Sequence, residues 1–101
     1  MKVEKNVNGD ITRLTIIGRV DSITASELEK AINDSITNTR ELILDCSKLD
    51  YVSSACLRVL LKAQKKLGKE TSMRLVEVSE DIMEVFKLTG FNSIINIKER
   101  K

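Results

Sequence analysis

No histidine occurs anywhere in the 101 residues, and that absence removes the usual general base for a serine or cysteine nucleophile. Cysteine appears only as Cys46 and Cys56, with nothing that resembles the ligand spacing of a zinc site. Aromatic residues are equally scarce. One tyrosine and two phenylalanines supply no row of stacking residues for nucleic acid, and a net charge of +2 with both signs interspersed gives no electrostatic case for it. Apolar runs stop at lengths such as Ile16-Ile17-Gly18 or Val59-Leu60-Leu61, far short of the roughly 18 residues of a membrane span. The chain enters an alternating pattern directly at Met1-Lys2-Val3 with no signal-peptide core, so a cytoplasmic protein without membrane insertion is expected. There is no glycine-rich phosphate loop, and no cofactor is expected.

What remains is ordinary globular material. An apolar share of 42% and a charged share of 32% lie away from the disordered and membrane classes. A chain of this length suits one domain, here residues 1–101, with a modest core.

The first segment reads as a hairpin. Residues 3–7 alternate, Asn8-Gly9-Asp10 supplies a turn in which Asn8-Gly9 takes positive φ, and residues 11–20 resume alternation. Leu14, Ile16, Gly18 and Val20 share one face of that second strand, and Ile11, Arg13, Thr15 and Ile17 the other. Thr24-Ala25-Ser26-Glu27 then has the form of a capping box. Ala25, Leu28, Ile32 and Ile36 recur at helical spacing, which predicts an amphipathic helix over 24–37.

Residues 41–46, Glu-Leu-Ile-Leu-Asp-Cys, form a short apolar run suited to a central strand buried on both faces. A second helix is predicted over 54–67. Cys56, Val59, Leu60, Ala63 and Leu67 make its apolar stripe, Arg58, Lys62, Lys65 and Lys66 lie opposite, and Gly68 terminates it. Residues 73–78 predict another strand. Ser79 caps a third helix with Glu80 and Asp81 at its positive end, Ile82, Val85, Phe86 and Thr89 on one face, and Gly90 as its stop. A last strand is expected over 93–97, before the charged tail 98–101.

The order β-β-α-β-α-β-α-β predicts an α/β fold, with right-handed crossovers and a mostly parallel sheet carrying an antiparallel hairpin at one edge. In such sheets partners meet the carboxyl ends of strands and the helix starts that follow them. Asp50-Tyr51-Val52-Ser53-Ser54-Ala55-Cys56 falls at such a junction.

Three blocks, GRVDSITASELEKAI, ELILDCSKLDYVSSACLRVLLKAQKKL and MRLVEVSEDIMEVFKLTGF, together resemble the STAS domain of anti-sigma factor antagonists along nearly the whole chain. The resemblance implies a STAS-like fold, a small mixed sheet with helices packed on it. It also implies a non-catalytic function, partner switching. The unphosphorylated antagonist binds an anti-sigma factor serine kinase and frees a sigma factor; phosphorylation by that kinase ends the interaction, and a metal-dependent phosphatase of the PP2C type restores it. Set on this sequence, the family motif Asp-Ser-Ser-Gly-Leu falls on Ser53-Ser54-Ala55-Cys56-Leu57, which places the phosphorylated serine on Ser54 and puts Cys56 where glycine is usual.

A phosphoserine near a helix start would be held by free N–H groups and the macrodipole, and Arg58, one turn on, is placed to pair with it. Asp21 matches an acidic position that the family keeps near this serine, although a turn or helix-start role is equally open to it. The expected partner surface is Asp21, Ser22, Asp50, Tyr51, Ser53, Ser54, Cys56 and Arg58, on a protein that is a monomer when alone.

Plainer readings stand beside these. Ser53 or Ser54 is a good N-cap, Cys56 a small buried hydrophobe or a reactive thiol, Asp45 a holder of loop backbone, and the basic stripe a solvated helix face. Two other functions are also open: a STAS subunit of a lipid-transport ATPase complex that is never phosphorylated, and thiol chemistry at Cys56.

Overall fold

In the computed structural model, which describes residues 1–100, five strands and three helices follow the expected order. The hairpin is β1 (Lys2–Asn8) and β2 (Ile11–Val20), paired antiparallel with Asn8 opposite Ile11. Its turn is therefore Gly9-Asp10, and Gly9 alone takes positive φ, at 61°. Glycine at the first central position is what the twist of a two-residue hairpin requires; Asn8 belongs to the strand.

Then come α1 (Ala25–Ile36), β3 (Glu41–Val52), α2 (Ser54–Lys66), β4 (Ser72–Val78), α3 (Glu80–Thr89), a 3-10 turn (Phe91–Ser93) and β5 (Asn96–Glu99). The sheet order is β1-β2-β3-β4-β5, with every pair parallel after the first. Parallel strands added always in one direction, through right-handed crossovers, bring all three helices to the same face. Burial follows that rule. Leu14, Ile16 and Val20 of β2, Leu42, Leu44 and Cys46 of β3, and Met73 and Leu75 of β4 form one core with Leu28 and Ile32 of α1, Leu60 of α2 and Phe86 of α3.

No helix among the described residues covers the opposite face of the sheet. There Arg13, Ile43 and Arg74 sit in one cross-strand row. Arg13 is tied to Asp45 at 2.8 Å and Arg74 to Glu41 at 2.6 Å, and between them Ile43 is buried. Arginine stems laid along a sheet cover apolar surface while their heads stay solvated. A concavity of about 450 Å³, lined by Arg13, Arg74, Val76, Glu77, Lys98 and Glu99, lies on this open face.

Several local expectations need correction. β3 runs to Val52 rather than stopping at Cys46, because it absorbs extra residues: Thr15 pairs with Asp45 but Ile17 with Lys48, and Gly18 pairs with Leu49 but Arg19 with Tyr51. Each irregularity places two β3 residues against one of β2, the signature of a bulge. Gly18, at φ 94°, takes the left-handed backbone beside the second of them. On α3, Met83 joins the expected Ile82, Val85 and Phe86 on the inward face, Val85 half-buried against the core, while Thr89 is exposed. Gly90 ends α3 as a left-handed cap, whereas α2 ends with extended backbone at Leu67 and Gly68 stays at negative φ. The last strand starts at Asn96, Ser93 closes the 3-10 turn, and Lys98 and Glu99 of the expected tail pair into the sheet; Lys101 lies outside the described residues.

Glu77 is the one non-glycine residue among those described with positive φ, at 58°. It sits where β4 slips against β5, between the pairs Leu75–Ile97 and Val78–Glu99. The slip presents its carbonyl to Arg100 Nη2, which donates to it at 3.3 Å and to Ser47 O at 2.7 Å. Left-handed backbone costs an L-residue about 1–2 kcal/mol, and glycine avoids that cost while losing about 0.5–1 kcal/mol to greater freedom when unfolded. Glu77→Gly is therefore expected to stabilise the chain by about 0.5–1 kcal/mol, read as a higher urea midpoint at unchanged slope.

Candidate functional site

The carboxyl ends of β2 and β3 are clamped side by side. Val20 pairs with Val52, and the Ser53 N–H donates to Val20 O at 3.0 Å. The chain thus leaves the sheet at two adjacent points, into the turn before α1 and into the start of α2. Asp21, Ser22, Asp50, Tyr51, Ser53 and Ser54 all fall at this corner.

The turn before α1 is built by Asp21. Its Oδ1 accepts the backbone N–H groups of Ile23 and Thr24, each at 3.0 Å, while Thr24 Oγ1 accepts the Asp21 N–H at 3.0 Å. Asp21 O also accepts the Ala25 N–H at 3.0 Å. This is a reciprocal capping arrangement in which Asp21 takes the cap position and Thr24 the reach-back position. It corrects the box expected at Thr24 and Glu27: Thr24 has helical backbone and its side chain makes no cap bond into α1. The backbone N–H groups of Thr24 and Ile23 are the main reason that the Asp21 carboxyl is held below its ordinary value, with the Thr24 hydroxyl and the Arg19 charge adding to them. Asp21 is accordingly an anion, and it presents a preshaped turn.

The start of α2 is uncapped. Ser53 has the extended backbone of an N-cap, but its hydroxyl makes no cap bond; Oγ is buried without a hydrogen-bond partner. Ser54 is the first helical residue and is exposed. No acidic residue stands in the first turn, so the leading N–H groups of α2, on Ser54, Ala55 and Cys56, keep their partial positive charge without an intrahelical or side-chain acceptor. Arg58 is exposed one turn further on and has no ion pair among the described residues. Two of the three lysines of that stripe reach α1, Lys62 to Glu29 and Lys66 to Asn33, each at 3.4 Å.

Cys56 departs from the expected surface. Its side chain is 2% exposed and belongs to the core, because the apolar stripe of α2 turns it toward the sheet. Burial pushes its thiol up to about 12. Cys46 is pushed to about 12 as well, by burial first and then by the neighbouring Cys56 and Asp45. Neither sulfur is a thiolate near neutral pH, which removes the physical basis for a reactive thiol at this helix start.

Asp45 lies away from the corner, inside β3 rather than at a strand end. Burial alone would raise its pKa, but the Ser47 N–H at 2.9 Å, the Ser47 side chain and the Arg13 guanidinium outweigh it, and the net shift is downward from 3.8. A carboxylate with a lowered folded-state pKa contributes stability that is fully present above its unfolded value and is lost as pH falls through the folded one. Asp45→Asn is expected to cost about 1–2 kcal/mol at pH 7, from weakened charge-assisted bonds. It should also flatten the decline in stability below about pH 4, as urea titrations at stepped pH would record.

Two residues at the corner escaped sequence reasoning. Arg19 places its guanidinium 4.3 Å from the centre of the Tyr51 ring, a stacking set up by the bulge that pairs Arg19 with Tyr51. Ile23, in the Asp21 turn, is 82% exposed. The signal for Ile23 was an apolar residue inside Asp-Ser-Ile-Thr, a turn sequence with no other use for one. Nothing in the sequence announced the bulge.

Comparison with known proteins agrees with this architecture. A family model described as the STAS domain matches residues 2–101. The chain is 37% identical over 82 residues to BtrV of Bordetella bronchiseptica, whose name places it among anti-sigma factor antagonists; the match covers 79% of this chain and 71% of that one. A crystal structure of an anti-sigma factor antagonist from Mycobacterium paratuberculosis superposes with a TM-score of 0.89 at 24% identity, over 96% of this chain and 84% of that one. SpoIIAA, an anti-sigma factor antagonist and cell fate determinant of Bacillus, shares the fold in both solved forms. The unphosphorylated form gives a TM-score of 0.75 at 13% identity, over 99% of this chain and 90% of that one, and the phosphorylated form 0.73 at 15%, over 95% and 90%. No helix among the described residues is long and apolar enough to cross a membrane.

Proposed function

The chain belongs to the STAS-domain family, and we propose that it is an anti-sigma factor antagonist whose binding to an anti-sigma factor serine kinase is switched by phosphorylation of Ser54. The observation that carries this reading is the position of Ser54: an exposed hydroxyl on the first residue of an uncapped helix, beside the anionic Asp21 turn. Names of relatives and the existence of a phosphorylated form of SpoIIAA support it.

Of the two adjacent serines, only Ser54 is accessible to a kinase, since Ser53 Oγ is buried. Transfer of the γ-phosphoryl group of ATP to Ser54 Oγ releases ADP and the hydroxyl proton. It leaves about −1.5 to −2 charges at the corner. The free N–H groups at the start of α2 and the unpaired Arg58 accept that charge locally, so the fold persists. What changes is the surface offered to the kinase, which must now desolvate a dianion or face it with its own charges. Removal of the phosphate by a PP2C-type phosphatase restores the apposable surface. Asp50, Tyr51 and Ser22 border it; Cys56 supports it from the core.

Incubation with the cognate anti-sigma factor kinase and ATP, followed by peptide mass spectrometry, is expected to place one phosphate on Ser54 and none on Ser53. An unmodified Ser54 in a chain that still binds and releases its partner in regulated fashion would contradict the assignment. Co-purification from the native cell with an ATPase and its permease subunits would point instead to the transport-complex role.

A further inference from the structure

We propose that Ile23 is the apolar anchor by which this corner docks its kinase, separate from the serine that is switched. This rests on the partner-switching reading above and adds to it a residue that fixes affinity.

Six large apolar residues are exposed among those described: Val7, Ile11, Ile23, Tyr51, Leu88 and Ile94. Val7 and Ile11 flank the hairpin turn, and Leu88 and Ile94 lie at the end of α3 and in the segment leading into β5. Because crossover helices run antiparallel to the strands they join, all four are at the end of the sheet opposite Ser54. Only Ile23 and Tyr51 share the Ser54 end, and Ile23 is the most exposed of the six.

Ile23 is also held still. Its own N–H is bound by Asp21 Oδ1, and the same oxygen takes the Thr24 N–H and lies 3.1 Å from Thr24 Oγ1. Thr24 Oγ1 is in turn 3.0 Å from Arg19 O. An isoleucine on such a turn loses little backbone freedom on docking and has few rotamers to lose, so most of its burial appears as affinity. Lone exposed apolar side chains are common on protein surfaces. What distinguishes this one is a rigid turn, a carboxylate held in its charged form two residues before it, and a place beside the Val20–Val52 clamp from which Ser54 also emerges.

The matching kinase surface has an apolar recess for Ile23 with a cationic group at its rim facing Asp21. Desolvation inside the recess strengthens that ion pair, and the contact adds to affinity independently of the charge at Ser54, which sets whether the whole interface holds.

The distinction is tested by steady-state phosphorylation of the full chain by its cognate anti-sigma factor kinase. Ile23→Ser is expected to raise KM about tenfold or more with kcat within twofold. That split marks lost docking rather than lost chemistry. Ile23→Leu should restore most of the affinity, and thermal midpoints of both variants should match the parent because the side chain packs on nothing in the free protein. Unchanged KM in Ile23→Ser, with Ser54 still phosphorylated, would overturn the anchor and leave the switch standing. A fall in kcat at constant KM would also overturn it, by showing that Ile23 positions Ser54 instead. Failure of the parent chain to bind or be phosphorylated would overturn the switch, and the anchor with it.

Discussion

Ser54→Glu is expected to lower affinity for the proposed kinase partner about 100-fold or more, while Ser54→Ala should bind as tightly as the parent and no longer be released by ATP. The first effect follows from where the charge goes. Ser54 is exposed at the corner where β2 and β3 deliver their chains, so a carboxylate there lies within any interface that covers Asp21 and Tyr51. A buried charge left unmatched, or set against like charge, costs several kcal/mol, and each 1.4 kcal/mol is a factor of ten. Glutamate carries one charge and phosphoserine nearly two, which makes the substitution a lower bound on the natural switch. The second effect follows from the bareness of the helix start. Ser54 Oγ makes no cap bond to lose, and alanine is a good residue at the first helical position. Calorimetric titration of both variants, with thermal melts alongside, measures the two effects; the melts should differ little from the parent, and a slightly higher melt for Ser54→Glu would reflect the helix dipole.

The second large effect belongs to the core. Phe86→Ala should destabilise the chain by about 3–5 kcal/mol, the usual cost of emptying an aromatic site that cannot collapse. Phe86 is 0% exposed, packs in the single core cluster, and stacks on Phe91 with ring centroids 6.3 Å apart. The buried contacts of α3 are Ile82, Met83 and Phe86, with Val85 packed half-buried beside them, so losing the largest of these side chains loosens the helix that connects β4 to β5. A domain of this size has about 5–15 kcal/mol in total, and a loss at this level lowers the thermal midpoint by roughly 15 °C or more. Phe86→Leu, which keeps most of the volume, should lose far less. Equal effects of the two substitutions would mean that packing volume is not what Phe86 supplies.

Most of the architecture was legible because periodicity is. Leu28 and Ile32, or Val59, Leu60 and Ala63, mark their helices without help, and the alternation of β2 sorts Leu14 and Ile16 from Arg13 and Thr15 just as burial does. What escaped was set by pairing between distant segments. The bulges that carry β3 on to Val52 depend on register against β2, and an exposed stretch such as Ser47-Lys48 looks like loop in sequence. A turn or helix-start role was open to Asp21, but its pairing with Thr24 was not legible, because two hydroxyl-and-acid patterns overlap there and only the path of the chain out of β2 selects the earlier one. β5 was displaced because Ile94 and Ile95 read as strand, whereas the chain first makes a 3-10 turn that buries Ile95 and exposes Ile94. At the candidate site, the resemblance singled out Ser54 as the serine to test. Which of Ser53 and Ser54 is accessible was visible only in the structure, whereas the apolar stripe of α2 already turned Cys56 inward against its place on the expected partner surface.

The central claim is that the state of Ser54 decides whether the chain displaces a sigma factor from its anti-sigma factor. Reconstitution tests it most directly: a preformed complex of the sigma factor and the anti-sigma factor kinase is challenged with unphosphorylated chain, then with chain phosphorylated at Ser54, and free sigma factor is measured. The account predicts release by the first and none by the second. Release by both forms, or by neither, would contradict it.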